Sequence, residues 1–381
     1  MGEAAHHEVQ LQVLDQVTKQ PSPRASQQSA EKANGKSYKW WIRISAYITF
    51  VLAGQAAAML LGRQYFVKGG KSKWLATFVQ LCAFPLMIPF YLVISRGRNP
   101  ATASRGIRTD QASVSTRAII YLVVGLIIAG NCYLYSVGLQ YLPVSTYTLI
   151  CASQLGFNAF FSFFLNSQKF TPFIVNSLVI LTISSVLLVF NNESSDPQSL
   201  SKVKYAIGFV CTVGASATYG LVLSLTQLCF KKYLKRHTYR TVVDMIFYQQ
   251  LVATSVVVVG VFASGEWKSY AKEMDEYQLG SFSYIMNLLW TSICWQIFTI
   301  GAVGLIFEVS ALFANAISVL GLPIVPVMAV FIFHDKMSGI KAISMVLAIW
   351  GFISYLYQQY LDDSSSKAEH GNATKASSVA K

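Results

Sequence analysis

Residues 287–333 read NLLWTSICWQIFTIGAVGLIFEVSALFANAISVLGLPIVPVMAVFIF and contain a single charged residue, Glu308. An α-helix needs about 20 mostly apolar residues to cross the hydrocarbon core of a bilayer. The stretch is too long for one crossing, so it predicts two membrane helices with a tight turn between them near Glu308.

The composition of the whole chain indicates a membrane protein as well. Of its 381 residues, 54% are hydrophobic and 12% are charged, whereas soluble domains carry about 25% charged residues. The net charge of +13 comes from basic residues in short runs between apolar blocks, which is typical of cytoplasmic loops and not of a nucleic-acid surface. Ten segments are long and apolar enough to span a bilayer: 41–61, 74–94, 118–140, 143–164, 172–190, 205–230, 241–263, 287–307, 309–333 and 340–360.

A weak repeat relates the two halves of the chain. Similar short motifs recur at similar spacing: Gly138-Leu139, Val144-Ser145, Leu155-Gly156-Phe157 and Lys169-Phe170-Thr171, then Gly304-Leu305, Val309-Ser310, Leu320-Gly321-Leu322 and Lys336-Met337-Ser338. Five helices per half make the copies run in opposite directions, as in many secondary transporters. We therefore predict an all-α polytopic membrane protein with ten helices in two inverted five-helix repeats. Its parts are a disordered cytoplasmic tail (1–39), the first repeat (40–196), the second repeat (197–361) and a disordered C-terminal tail (362–381).

Enzyme signatures are absent from the sequence. The five histidines lie outside the predicted spans, and the six cysteines fall inside apolar blocks without a Cys-x-x-Cys pair. We interpret the cysteines as small buried hydrophobic residues. The sequence thus predicts neither catalysis, nor a cofactor, nor a metal site.

Polar and aromatic residues near the middle of the spans are the candidate substrate-binding residues. An unpaired polar group in hydrocarbon costs several kcal/mol, so such residues face a cavity or one another. The candidates are Asn131, Tyr135, Gln154, Tyr219, Trp295, Gln296 and Asn315, and further mid-span polar residues are Gln55, Asn158, Gln249 and Gln250. Carboxamides and aromatic rings suit a flat, neutral, hydrogen-bonding ligand. The alternative for each residue alone is a hydrogen bond between helices, worth about 0.6 kcal/mol.

Two acidic residues at the ends of spans are the candidates for proton coupling. Glu308 is either a carboxyl group stabilised by the N-terminus of the ninth span or a partly buried proton site. Asp244 is either an ordinary first-turn acid with Arg240 as its i,i+4 partner or a second proton site. No Lys or Arg lies mid-span, which disfavours substrates with a phosphate or carboxylate group.

Three segments carry a resemblance to a known family. They are GAVGLIFEVSALFANAISVLGLPIVPVMAVFIFHDKMSGIKAISMVLAIW from Gly301, YLPVSTYTLICASQLGFNAFFSFFLNSQKFTPF from Tyr141 and VATSVVVVGVFASGEW from Val252. In these segments the chain resembles the plant purine permease family of the drug/metabolite transporter superfamily, over about residues 41–363.

The resemblance implies ten helices in two inverted repeats and proton-driven uptake of purine bases and related heterocycles, adenine and cytokinins among them. Family members differ in substrate, and some carry alkaloids or forms of vitamin B6. The implied partners are a small purine-type solute, protons and the lipid bilayer, with no nucleic acid and with the plasma membrane as the default location. The alternatives are an exporter or a carrier of another neutral nitrogenous solute on the same fold, and a membrane receptor or scaffold without flux.

The distribution of Lys and Arg predicts that both termini lie in the cytoplasm. Most basic loop residues then lie inside, with the loop that holds Arg63, Lys68, Lys71 and Lys73 as the exception. The glycosylation sequon at Asn192 would face the outside or the lumen, and the sequon at Asn372 would face the cytoplasm.

We therefore expect a glycan at Asn192 and none at Asn372 when the full chain is expressed in cells that glycosylate membrane proteins. The mobility of the protein with and without endoglycosidase measures this, and Asn192→Gln should remove the shift. A glycan at Asn372 would exclude the predicted topology.

Overall fold

The computed structural model describes residues 23–89, 91–92, 114–167, 202–234 and 239–333, together with single positions within 172–180 and 339–357. Within these ranges the secondary structure is helical, without strands. The α-helices are α1 (Pro23–Val67), α2 (Lys73–Leu81), α3 (Val114–Tyr141), α4 (Val144–Cys151), α5 (Gln154–Asn166), α6 (Lys202–Leu228), α7 (Tyr239–Ser264), α8 (Tyr270–Asp275), α9 (Ser281–Glu308), α10 (Ala311–Gly321) and α11 (Ile324–Phe333). The predicted spans 172–190 and 340–360 lie outside the described residues apart from the single positions, so the number of ten helices stays a prediction.

Six helical segments are long and apolar enough to cross a membrane. In the part of the chain that the structure describes, they are Tyr38–Val67, Val114–Tyr141, Thr146–Asn166, Lys202–Leu234, Tyr239–Ser264 and Ser281–Glu308. Two shorter apolar segments, Lys73–Met87 and Ala311–Gly321, accompany them. The prediction of a multi-pass α-helical membrane protein is confirmed at this level.

The side chains are arranged with apolar groups outside and polar groups inside. Ile119 and Leu122 of α3 are 60% and 50% exposed, and Val259 of α7 is 67% exposed. Asn158 and Ser216 are fully buried. Lipid favours this arrangement, because it solvates apolar side chains and leaves polar groups to pair within the protein.

The predicted turns between neighbouring spans are confirmed. Helix α3 ends at Tyr141 and α4 begins at Val144, directly after Pro143. Helix α9 ends at Glu308, and the next helix is capped by Ser310, whose hydroxyl oxygen accepts the N–H of Phe313 at 3.1 Å. The interpretation that Glu308 stands at the N-terminus of the following helix is therefore wrong. Glu308 is the last residue of α9, where the helix dipole does not favour a negative charge.

Three of the predicted spans are interrupted. The helix predicted over 74–94 ends at Leu81 and continues as a 3₁₀ turn, Phe84–Met87, because Pro85 supplies no N–H for the α-helical ladder. The span predicted over 143–164 tightens into a turn between α4 and α5, where the N–H of Ser153 donates to the carbonyl of Ile150 at 3.0 Å. The span predicted over 309–333 does the same between α10 and α11, where the N–H of Val325 donates to the carbonyl of Leu322 at 3.2 Å. The two latter breaks occur in segments that the sequence repeat relates to each other.

A network of carboxylates and hydroxyls closes one end of the bundle. The connection between α7 and α9 contains Glu273, which is 3% exposed and accepts hydrogen bonds from the hydroxyls of Tyr65 and Tyr284. In the same connection Glu266 accepts a hydrogen bond from Ser72, the N-cap residue of α2. This end of the bundle is therefore held together across α1, α2 and α9.

Helices α1 and α9 approach each other closely at glycines. A Cβ atom on Gly54 would lie 2.8 Å from the carbonyl oxygen of Cys294 and 2.8 Å from the backbone nitrogen of Phe298. On the other helix, a Cβ atom on Gly301 would lie 2.8 Å from the carbonyl oxygen of Tyr47. Small residues permit such close backbone contact in membrane bundles.

Gly54→Ala should lower the stability of the protein by about 1–3 kcal/mol, because the added methyl group meets rigid backbone atoms. Gly130→Ala is the matched control, since a Cβ atom on Gly130 meets no atom within 4 Å. We expect the control to be neutral or slightly stabilising. Thermal unfolding in detergent measures both variants, and equal melting temperatures would contradict the close packing of α1 on α9.

Candidate functional site

A cavity of about 120 Å³ lies among α1, α2, α3, α4, α5, α6, α7, α9 and α10. One buried water needs only about 10–15 Å³, so the cavity has room for a small organic molecule. Six of the side chains that line it are carboxamides: Gln55, Gln80, Asn131, Gln154, Gln249 and Gln250. None of the described residues that line it is charged.

Aromatic rings form another part of the cavity wall. They are Tyr135, Tyr147, Tyr219, Trp295 and Phe298. The rings of Tyr219 and Phe298 lie 6.5 Å apart at 29°, and Tyr135 meets Tyr219 edge-on at 6.4 Å. Such a set of flat faces can stack on a planar ligand.

Five of the seven predicted substrate-binding residues meet at this cavity. Asn131, Tyr135, Gln154, Tyr219 and Trp295 all line it. Gathering them from α3, α5, α6 and α9 requires the tertiary structure, because they lie far apart in the sequence.

Gln154 connects several walls of the cavity. It is the first residue of α5, directly after the break that follows α4. Its Oε1 accepts the hydroxyl of Tyr135 at 3.3 Å, and its Nε2 donates to the hydroxyl oxygen of Ser318 at 3.1 Å. Ser318 in turn donates to Oε1 of Gln55 at 2.9 Å. This chain of hydrogen bonds joins α3, α5, α10 and α1 around the cavity.

Asn131 and Gln80 are engaged on the other side. Nδ2 of Asn131 donates to the carbonyl oxygen of Ala215 at 2.7 Å and thereby ties α3 to α6. Nε2 of Gln80 donates to the hydroxyl oxygen of Ser136 at 2.8 Å. Both side chains keep their place in the wall by a bond to a neighbouring helix.

The remaining two predicted binding residues, Asn315 and Gln296, are buried but do not line the cavity. Nδ2 of Asn315 donates to the backbone carbonyl of Gln154 at 3.0 Å, so Asn315 holds the start of α5 in position. Gln296 is 2% exposed, and neither its Nε2 nor its Oε1 has a hydrogen-bond partner among the described residues.

The two predicted proton-coupling residues lie at the end of the bundle opposite to Glu273. Glu308 accepts a hydrogen bond from the hydroxyl of Tyr239 at 2.8 Å. Asp244 lies 3.9 Å from the Nε of Arg240, as its i,i+4 spacing predicts, and its Oδ1 is buried without a hydrogen bond among the described residues. Neither acid lines the cavity.

Sequence reasoning did not select four of the lining carboxamides. Gln55, Gln249 and Gln250 are mid-span polar residues like those that were selected, and no pattern in the sequence separates them. Gln80 lies within the span predicted over 74–94 and was missed as well.

Residues 42–365 match the sequence model of a protein family whose description is "purine nucleobase transmembrane transport". The match covers nearly all of the predicted membrane region. The chain belongs to the purine permease family. This confirms the resemblance found in the sequence, and the permease is thus a transporter of purine nucleobases and not an enzyme.

Curated relatives support the same family at high identity. The chain is 56% identical to probable purine permease 10 of Arabidopsis thaliana, with 97% of this chain and 95% of the relative covered. It is 55% identical to purine permease 21 of the same plant, with 94% and 93% covered. For probable purine permease 8, also of Arabidopsis thaliana, the identity is 54%, with 90% and 86% covered.

Proposed function

We propose that this permease imports purine nucleobases and related heterocycles, such as adenine and cytokinins, by symport with protons. The observation that carries the proposal is the uncharged cavity lined by carboxamides and aromatic rings. A nucleobase is flat and neutral and carries hydrogen-bond donors and acceptors along its edges. The apolar side chains in the rest of the wall, such as Met59 and Ile128, would accommodate an apolar substituent of a cytokinin.

The proposed roles follow from the positions of the side chains. Asn131 and Gln154 give hydrogen bonds to the base, and Tyr219 and Trp295 stack on its faces. Base–aromatic stacking contributes about 1–3 kcal/mol for each base in nucleic-acid complexes. Asn315 acts through the backbone of Gln154.

Two more of the predicted binding residues complete the proposed site. The hydroxyl of Tyr135 orients the amide of Gln154. Gln296 remains in the proposed site because its buried amide has no partner in the part of the chain that the structure describes. It would reach the base in another state of the transport cycle.

The transport cycle is proposed to be a rocking movement of two inverted repeats, 40–196 and 197–361, around the cavity. The breaks α4–α5 and α10–α11 support it, because interrupted helices in corresponding positions of two halves often mark the substrate site of a transporter. The two interrupted segments also contact each other, since Nδ2 of Asn158 in α5 donates to the carbonyl oxygen of Ala311 in α10 at 3.1 Å. Ten helices, cytoplasmic termini and the plasma membrane as the location belong to the same proposal.

Uptake of labelled adenine by yeast cells that lack their own purine permeases tests the function. We expect saturable uptake that collapses when a protonophore is added, and competition by unlabelled cytokinin. Cells with the empty vector are the control, and surface expression is checked by labelling. Saturable uptake that survives the protonophore would contradict proton symport, and the absence of any purine uptake would contradict the proposed function as a whole.

Glu308 is proposed as the proton carrier and Asp244 as the second candidate. Glu308→Gln should abolish pH-dependent uptake and leave the protein at the membrane, because the amide keeps the size of the side chain and binds no proton at physiological pH. Counterflow of adenine, which needs no net proton movement, should persist in this variant.

The same measurements on Asp244→Asn test the second candidate, and Asp275→Asn changes an exposed acid outside the spans as a control. Normal pH dependence in Glu308→Gln would exclude the role of Glu308.

A further inference from the structure

Two adjacent glutamines of α7, Gln249 and Gln250, differ from the other carboxamides in the cavity wall. They are 4% and 3% exposed, and both line the cavity. Nε2 of Gln249 and Oε1 of Gln250 are buried without a hydrogen-bond partner among the described residues. Each of the other four lining carboxamides makes a hydrogen bond to a neighbouring helix.

Such atoms are costly to the empty protein. A buried donor or acceptor without a partner has lost its hydrogen bonds to water without replacement, and buried polar groups in native proteins are paired in the large majority of cases. A ligand in the cavity would supply the missing partners. The cost is then part of a preformed binding site and not a defect of the fold.

The backbone that carries the two glutamines is fixed in place. Helix α7 packs against α3 so closely that a Cβ atom on Gly125 would lie 2.9 Å from the carbonyl oxygen of Gln249 and 2.7 Å from Cβ of Val252. The glutamines are therefore held on a rigid part of the bundle. Binding then orders only their side-chain torsions.

We propose that Gln249 and Gln250 together read the edge of the purine base that carries an exocyclic amino group beside a ring nitrogen. This inference rests on the proposed function and deepens it. A carboxamide offers an N–H donor and a carbonyl acceptor in one plane. That pattern is complementary to an amino group next to a ring nitrogen, and glutamine pairs with adenine in this bidentate way in protein–DNA complexes.

The pair makes aminopurines better ligands than purine without the amino group. A base that lacks the amino group leaves a buried carbonyl oxygen of the pair unpaired. Sites built to form a hydrogen bond discriminate strongly against ligands that cannot form it. Asn131 and Gln154 already have protein partners, so they contribute less to this choice.

Equilibrium binding of labelled adenine and of unsubstituted purine to the purified full-length protein in detergent tests the proposal. Gln249→Met and Gln250→Met keep the length of the side chain and remove the amide. We expect each to weaken adenine binding about 5- to 30-fold, equivalent to about 1–2 kcal/mol, and to change purine binding less. The thermal stability of the empty protein should stay the same or rise, because an unpaired buried amide has been removed.

Gln227 provides the matched control. It is a glutamine of α6, 4% exposed, that does not line the cavity, and its Oε1 accepts the backbone N–H of Ala311 at 3.0 Å. Gln227→Met should lower the thermal stability and leave the ratio of adenine to purine affinity unchanged.

The possible outcomes separate this inference from the proposed function. If the wild-type protein binds adenine and both variants keep the wild-type ratio of adenine to purine affinity, the proposed role of the pair is overturned. The proposed function then still stands. If the empty variants are less stable than the wild type and the ratio of adenine to purine affinity is unchanged, the two glutamines serve packing. Their proposed role in binding is then also overturned. Wild-type protein that binds neither base would overturn both proposals.

Discussion

Polar groups inside the helical bundle must be paired there, because hydrocarbon offers no hydrogen bonds. This constraint is hardest to meet where a spanning helix is interrupted, and the break between α4 and α5 is such a place. Nδ2 of Asn315 donates to the backbone carbonyl of Gln154, and the hydroxyl of Ser153 donates to the carbonyl of Ile150. The side chain of Gln154 extends from the same break to Ser318. The backbone N–H of Ser153 also donates to the carbonyl of Ile150 at 3.0 Å, so the side chains at this turn brace it and position the wall of the cavity.

Much of the fold could be predicted from hydrophobic length, because a spanning helix has to be apolar over a fixed distance. The spans predicted over 118–140 and 241–263 agree with α3 and α7 to within a few residues. Hydrophobic length does not report where a helix breaks. The 3₁₀ turn Phe84–Met87 depends on the missing donor of Pro85. Likewise, apolar content does not reveal that α10 begins only after the capping side chain of Ser310 and that Glu308 is the last residue of α9.

The residue types of the candidate site could be predicted from the sequence more readily than the individual residues that form it. Asn131 and Gln154 were predicted as binding residues because a carboxamide at bilayer depth costs free energy unless it is hydrogen-bonded. The sequence could not distinguish a carboxamide that lines the cavity from one that braces a helix, as Asn315 does, because both are buried and both are polar. Only the tertiary structure separates them: Asn131, Gln154, Gln249 and Gln250 line the cavity, whereas Asn315 does not. Tertiary contacts, and not residue type, decide between these two uses.

The described residues of the cavity wall include no charged residue, which limits how the proposed proton symport could work. In that proposal a proton on Glu308 or Asp244 does not touch a base in the cavity, because neither acid lines it. Each acid, however, lies on a helix that also lines the cavity: Glu308 ends α9, which carries Trp295, and Asp244 lies on α7, which carries Gln249. Neutralising Glu308 would weaken its bond to Tyr239 of α7, whereas Asp244 pairs with Arg240 of its own helix. In the proposed symport, movement of α7 against α9 would link proton binding to the shape of the site, with no need for a charge beside the substrate.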